Sequence, residues 1–218
     1  MTGLATAPDR THRLIPSRFP PVDTFETVTR PGDLEAVLEL EGWTNDRLVA
    51  SRLKRLPRSE WVHGRACASI VMAAFLHGAP QGTRFAGPDL GAWYAASAFV
   101  TAVTEVANGI RREIALSALQ QKTEDLRDYT ARLDGFFVDI RGTRPDLHDP
   151  DPASYPVAQA FGRSVRAGPH AGIAYDSVRH SGGTNWVAYR PTRVLDVLQE
   201  RHVRLIVPQM GKVHVSRL

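Results

Sequence analysis

Arg84, Tyr94, Glu105 and Ser177 are the side chains in this sequence best suited to grip, stack against, polarise and orient a small polar ligand. Arg84 lies in Gly82-Thr83-Arg84-Phe85, just ahead of Gly87-Pro88-Asp89-Leu90-Gly91. A loop arginine is ordinarily just exposed. Between glycines, backbone can also approach a phosphate or ribose while the planar guanidinium grips it. Tyr94, in Trp93-Tyr94-Ala95-Ala96, reads either as a core or edge-strand aromatic or as a ring for stacking a planar ligand group, its hydroxyl left to hydrogen-bond. Glu105 belongs to a helical stretch in which Thr101, Ala102, Asn108 and Gly109 share its face, with no lysine or arginine to pair with it. Most helical glutamates are simply solvated, and this face suits a ligand and closely packed backbone equally. Ser177 ends an apolar run from Gly172 and lacks the Gly-x-Ser-x-Gly elbow of a hydrolase nucleophile. A hydroxyl there can hold a ribose or a carboxylate, or satisfy a turn.

Other chemistries find less support. There is no Gly-x-Gly-x-x-Gly fingerprint, so a Rossmann-type dinucleotide site is not expected. Ser181-Gly182-Gly183-Thr184-Asn185 lacks the lysine of a phosphate-binding loop and reads as a hairpin turn. The eight histidines are dispersed without metal-ligand spacing, so no metal site is expected. The net charge of +4 and pI of about 9.6 come from scattered basic residues plus one cluster, Arg47, Arg52, Lys54, Arg55 and Arg58. No aromatic-interleaved basic stripe accompanies them, so direct nucleic-acid contact is not expected; an acidic protein partner or an anionic small ligand suits this charge equally. Cys67 is the single cysteine, which excludes an internal disulfide and implies a reducing, cytoplasmic setting. The longest apolar run, Ala66 to Leu76, is too short to span a bilayer, and no signal-peptide core precedes it.

The elements that must position these residues follow from periodicity. Residues 1–12 read as a loose tail and Leu14 to Phe25, with Pro16, Pro20 and Pro21, as an extended arm. Asp33 to Glu41 and Asn45 to Leu56 carry the pattern of short amphipathic helices, and Gly64 to His77 that of a buried one. Trp93 to Ala96 reads as a strand, after which Ser97 is placed to cap a helix running through Glu105 to about Gln121. From Tyr129 the period shortens. Strands are expected at 129–133, 135–140, 173–178, 185–189, 203–207 and 212–215, with a helix from Tyr155 to Val165 and a Pro/Asp-rich loop over 146–154. The fold class is α+β. One domain covers 1–218: the tail, an amino-terminal arm with helices over 13–80, and a catalytic core over 81–218.

Taken together, Arg84, Tyr94, Glu105 and Ser177 fall in the order and spacing of the RES domain, which this chain resembles. That family's signature is a Gly-Gly-Arg-Trp-Asn-like segment, then a tyrosine, a glutamate and a later Pro-Ser. The likeness runs from Arg13-Leu14-Ile15-Pro16-Ser17-Arg18-Phe19-Pro20-Pro21 almost to the end of the sequence, and Thr44-Asn45-Asp46-Arg47 and Gly168 to Pro191 also resemble that family. Phe85-Ala86 stands in place of Trp-Asn, and Asp176 in place of the proline before Ser177.

The resemblance implies an ADP-ribosyltransferase-like mixed sheet core with an amino-terminal helical extension, and a toxin that cleaves the nicotinamide–ribose bond of NAD⁺. It implies catalytic roles for Glu105 and Arg84, and substrate contacts from Tyr94, Ser177, Asn185, Arg18 and Arg13. NAD⁺ would be substrate, with no separate cofactor. The implied partner is a cognate antitoxin carrying an Xre-like DNA-binding domain, without membrane contact, and an oligomer is compatible with it. Two alternatives remain at this level: an ADP-ribosyltransferase acting on a protein, and a binding module without catalysis.

Overall fold

The computed structural model describes residues 3–19, 24–28, 30, 33 and 51–218. The expected helix at 33–41, most of that at 45–56, and the Thr44–Arg47 segment lie outside the described residues. The organising element is a nine-stranded sheet in the order β1-β5-β6-β7-β3-β2-β4-β8-β9. Its strands are β1 (Gly3–Ala5), β2 (Thr11–Pro16), β3 (Trp93–Ala96), β4 (Gln121–Leu133), β5 (Phe137–Asp139), β6 (Gly172–Asp176), β7 (Thr184–Ala188), β8 (Val194–Pro208) and β9 (His214–Arg217). All neighbouring pairs are antiparallel except β5–β6. The described helices are α1 (Thr24–Thr27), α2 (Ala68–Leu76), α3 (Phe99–Leu116) and α4 (Tyr155–Ala167). The class is α+β, with a mixed sheet.

Directly opposed residues of an antiparallel pair share a face of the sheet. Tyr94 opposes Val187, which opposes Ile173; Ala96 opposes Asn185, which opposes Tyr175. Val187, Ile173 and Tyr175 pack with Val165 and Ala158 of α4, while Ala96 packs with Ala102, Val103 and Ala107 of α3. Helices α3 and α4 therefore cover one face side by side. Trp93, Trp186, Ala174 and Phe137 fill the other face with α1 and α2, Phe137 meeting Trp186 edge-on at 5.2 Å. Helix α2 is apolar almost all round, as a helix buried between other elements must be.

Several boundaries differ from the periodicity. Gly3–Ala5, expected as tail, pairs with Phe137–Asp139, and Thr11–Pro16 is a strand held between β3 and β4. Cys67 adopts a left-handed φ of 58°, so α2 begins at Ala68 rather than Gly64. Ser97 does not cap α3; Ala98 takes that position, and Ser97 Oγ accepts a hydrogen bond from Trp186 Nε1 at 2.8 Å. Helix α3 ends at Leu116 because Ala118 turns left-handed (φ 54°) and the Leu119 N–H returns to Ile114 O, a Schellman closure. The next residues, Gln121 to Arg127, look helical or loop-like by composition yet form the first half of β4. Pairing with β8 along the whole stretch, joined by β2 from Leu126 onward, overrides their weak intrinsic strand preference.

Gly172 marks how tightly the β5–β6–β7 region is packed. A Cβ there would stand 1.8 Å from Val187 O and 2.9 Å from the Phe137 ring. Gly172→Ala is expected to destabilise the protein by roughly 3 kcal/mol, the upper end for overpacking, as a lowered urea midpoint at unchanged slope. A loss under about 0.5 kcal/mol would mean that the strand yields at this point.

Candidate active site

The face of the sheet under α3 and α4 carries Tyr94, Asn185 and Tyr175, and Tyr94, Glu105 and Arg84 all lie within electrostatic reach of Tyr175. Glu105 extends from the second turn of α3. Its Oε1 accepts hydrogen bonds from Ser177 Oγ at 2.6 Å and from Asn185 Nδ2 at 2.7 Å. Both donors are neutral, and among the described residues no cation pairs with the carboxylate and nothing engages Oε2. Glu105 is thus fixed by one oxygen, which leaves the other available to a ligand.

Ser177 is itself fixed. It follows the last residue of β6, its hydroxyl accepts the N–H groups of Arg179 (3.2 Å) and His180 (2.9 Å), and its own N–H reaches Gly183 O. The same loop is tied to α3 a second time, by His180 Nδ1 and Thr101 Oγ1 at 2.8 Å. Thr101 and Glu105 are one turn apart on α3, so two adjacent contacts set the helix against the β6–β7 loop.

Arg84 lies on the loop before β3 and is buried at 8% exposure. Its Nη1 donates to Leu147 O (3.1 Å) and Asp149 O (2.5 Å), and the guanidinium lies 5.1 Å from the centre of the Tyr155 ring. No carboxylate neutralises it among the described residues, which leaves it competent for an anionic ligand. The loop carrying it is held by α4 and by β7's exit: Gln159 Nε2 donates to Gln81 O and Thr83 O, and Tyr189 OH to Phe85 O at 2.8 Å.

Tyr94 spends its hydroxyl on this loop, accepting from Thr83 Oγ1 at 2.8 Å and from the Phe85 N–H at 3.0 Å. Burial pushes the phenol up to about 12, against the opposing pull of those two bonds. Tyr175 shares this face of the sheet. Burial raises its phenol well above the ordinary value, and Tyr94, Glu105 and Arg84 are all within its electrostatic reach. Tyr175 carries no assignment from the sequence, although the alternation Ile173, Tyr175 beside Ser177 puts it on the same face. Gln159, Tyr189 and His148, which brace the site, leave no comparable signal.

The two arginines of the amino-terminal arm lie elsewhere. Arg13 opposes Tyr129, on the face away from the Tyr94 side chain; it stacks 4.9 Å over Trp93 and donates to Tyr94 O at 3.0 Å. Burial lowers its guanidinium to about 10. It therefore braces β3 from beneath. Arg18 lies past the far end of β2 from the His12–Ala96 pairing, bound to Glu124 and stacked on Phe19. The structure brings Arg84, Tyr94 and Glu105 to Tyr175, with Ser177 and Asn185 on the Glu105 carboxylate, and Arg13 and Arg18 do not join them there.

The two departures from the RES pattern have structural consequences. Phe85 is buried at 1% exposure and meets Tyr175 edge-on at 4.8 Å, so it packs in the interior. The Asp176 N–H donates to His148 Nε2 at 3.2 Å, a bond a proline lacks the hydrogen to make. Its Oδ2 accepts from Gly142 N at 2.6 Å.

The family model of the RES domain matches residues 52–208 of the 218. The match begins after the Arg13–Pro21 stretch and takes in every residue of the site. The chain is also 32% identical over 148 residues to the uncharacterized protein y4oC of Sinorhizobium fredii (strain NBRC 101917 / NGR234). That alignment covers 64% of this chain and 60% of the relative's length.

Proposed function

This chain belongs to the RES-domain family, and from that premise we propose that it is a toxin that cleaves the nicotinamide–ribose bond of NAD⁺. The observation that carries the reading is the Glu105 carboxylate, held on one oxygen by Ser177 and Asn185 with no cation paired to it among the described residues, while Arg84 acts with it on the same Tyr175.

Nicotinamide is attached to ribose as a pyridinium. When the C1′–N bond breaks, its electron pair goes to the ring nitrogen and nicotinamide leaves neutral, so no general acid is required. The ribose is left as an oxocarbenium-like cation. A carboxylate about 4 Å away stabilises that charge by on the order of 4 kcal/mol at an effective dielectric near 20. Glu105 takes this role and orients a ribose hydroxyl. Ser177 and Asn185 hold the carboxylate and line the ribose position. Arg84 binds the phosphates, and the Tyr94 ring packs the nicotinamide. An oxygen of water or of inorganic phosphate bonds to C1′ and releases its proton, giving glycohydrolase or phosphorylase chemistry. A cognate antitoxin that covers the site fits this reading of the family.

The test is NAD⁺ concentration over time with purified protein, with and without inorganic phosphate. Loss of NAD⁺ with free nicotinamide is the expected result. ADP-ribose identifies water as acceptor, and ADP-ribose 1″-phosphate identifies phosphate. Unchanged NAD⁺ in both conditions overturns the proposal.

A further inference from the structure

We propose that His148 is the positioning residue for Arg84, acting through the turn on which it sits; the proposal rests on the NAD⁺ reading of the site. The two carbonyls that hold the Arg84 guanidinium belong to Leu147 and Asp149, the residues on either side of His148. With no carboxylate partner, Arg84 takes its orientation from these carbonyls and from the Tyr155 ring. What fixes the carbonyls fixes the arginine.

The turn is anchored at two depths. Leu147 is wholly buried in the α4 core, as the last residue of the short helical turn Pro145–Leu147. The His148 ring then spans the gap between this segment and β6. Its Nδ1 lies 3.0 Å from Arg144 O, and its Nε2 lies 3.2 Å from the Asp176 N. A carbonyl can only accept and a backbone N–H can only donate, so the tautomer is determined: Nδ1 carries the hydrogen and Nε2 the lone pair. One neutral imidazole thus joins the carbonyls around Arg84 to the strand end that precedes Ser177. Ser177 in turn holds Glu105. The Arg84 and Glu105 sides of the site are set relative to one another through this ring. Asp176 supplies a flanking tie to the Gly142 N–H, and Arg179 one to Pro150 O at 2.7 Å, just past Asp149, but the His148 ring alone bonds from between the two carbonyls that hold Arg84.

His148→Leu removes both ring nitrogens. His148→Gln offers an amide oxygen to the Asp176 N–H and an amide N–H to Arg144 O. The expected result is a rise in KM for NAD⁺ of about 10- to 100-fold in His148→Leu, the range for losing a hydrogen bond to a charged group. The rise in KM should exceed the fall in kcat, and His148→Gln should return KM to within about threefold of the parent protein. A second readout needs no substrate. In ¹⁵N NMR of the ligand-free protein, His148 should show the neutral Nδ1–H tautomer. The Arg84 guanidinium protons should exchange slowly in the parent and in His148→Gln, and rapidly in His148→Leu. Unchanged Arg84 signals in a folded His148→Leu overturn the proposal, as does a folded His148→Gln whose Arg84 protons exchange rapidly. If the parent leaves NAD⁺ intact while the Arg84 signals respond as expected, the positioning role stands and the NAD⁺ reading fails. Should His148→Leu not fold, the His148→Gln spectrum decides alone.

Discussion

Glu105→Gln is expected to slow NAD⁺ cleavage by about 10³-fold, the rate equivalent of the roughly 4 kcal/mol that a carboxylate supplies to a cation 4 Å away. The substitution is close to isosteric, and the glutamine oxygen can still accept from Ser177 Oγ and Asn185 Nδ2. The site therefore keeps its shape, and thermal stability should stay within about 2 °C of the parent, the shift produced by a few tenths of a kcal/mol. What disappears is the charge, whose attraction grows as the ribose becomes cationic. The loss should fall on kcat, with KM for NAD⁺ nearly unchanged, because an interaction strengthened mainly in the transition state is being removed. Single-turnover cleavage and differential scanning calorimetry on the same preparation check both halves. A folded Glu105→Gln protein retaining activity within threefold would remove Glu105 from the chemistry.

The second large effect begins in packing and ends at the site. Gly162 lies in α4 against the loop that carries Arg84, and a Cβ there would stand 2.0 Å from Phe85 O and 2.6 Å from Tyr189 OH. Those two atoms are already bonded to each other at 2.8 Å. Gly162→Ala must therefore push the loop off the helix or break the Tyr189–Phe85 bond. In an open helix the same substitution stabilises by up to about 1 kcal/mol. Here the expected sign is reversed, with a loss of about 1–3 kcal/mol from overpacking. Because the displaced loop carries Arg84, kcat/KM for NAD⁺ should fall by about 10²-fold, the penalty for a misplacement near 1 Å. Arg163→Ala, on the exposed side of the same helix, is the control and should leave both quantities unchanged. A stabilised, fully active Gly162→Ala protein would show that the loop is not held by this contact.

The candidate residues could be singled out because their settings are local. Arg84 between glycines, Tyr94 on a four-residue strand, Glu105 on a helix face free of cations and Ser177 at a strand end are all short-range patterns. The strand Trp93–Ala96 and the start of α4 at Tyr155 follow from periodicity and turn chemistry in the same way. β4 was not legible over its first half. Its charged residues become acceptable in a strand through partners, most of them distant: Glu124 is buried against Arg18 and its neighbour Lys122, and Asp128, just beyond that half, is wholly buried because His12 and Arg201 meet it.

The sequence by itself determined which side chains are available for chemistry and that one α+β sheet must present them. Only the tertiary structure decided which of them meet. Arg13 and Tyr94 both touch β3, yet a one-residue difference in parity puts their side chains on opposite faces of the sheet, and register depends on strands far apart in the chain. Asn185 and Ser177 converge on a single oxygen of Glu105 only because α3 crosses β3 and meets the β6–β7 loop. Tyr189 and Gln159 acquire their places by contacts across more than seventy residues, and His148 reaches Asp176 across 28, and no local pattern encodes a contact of that range.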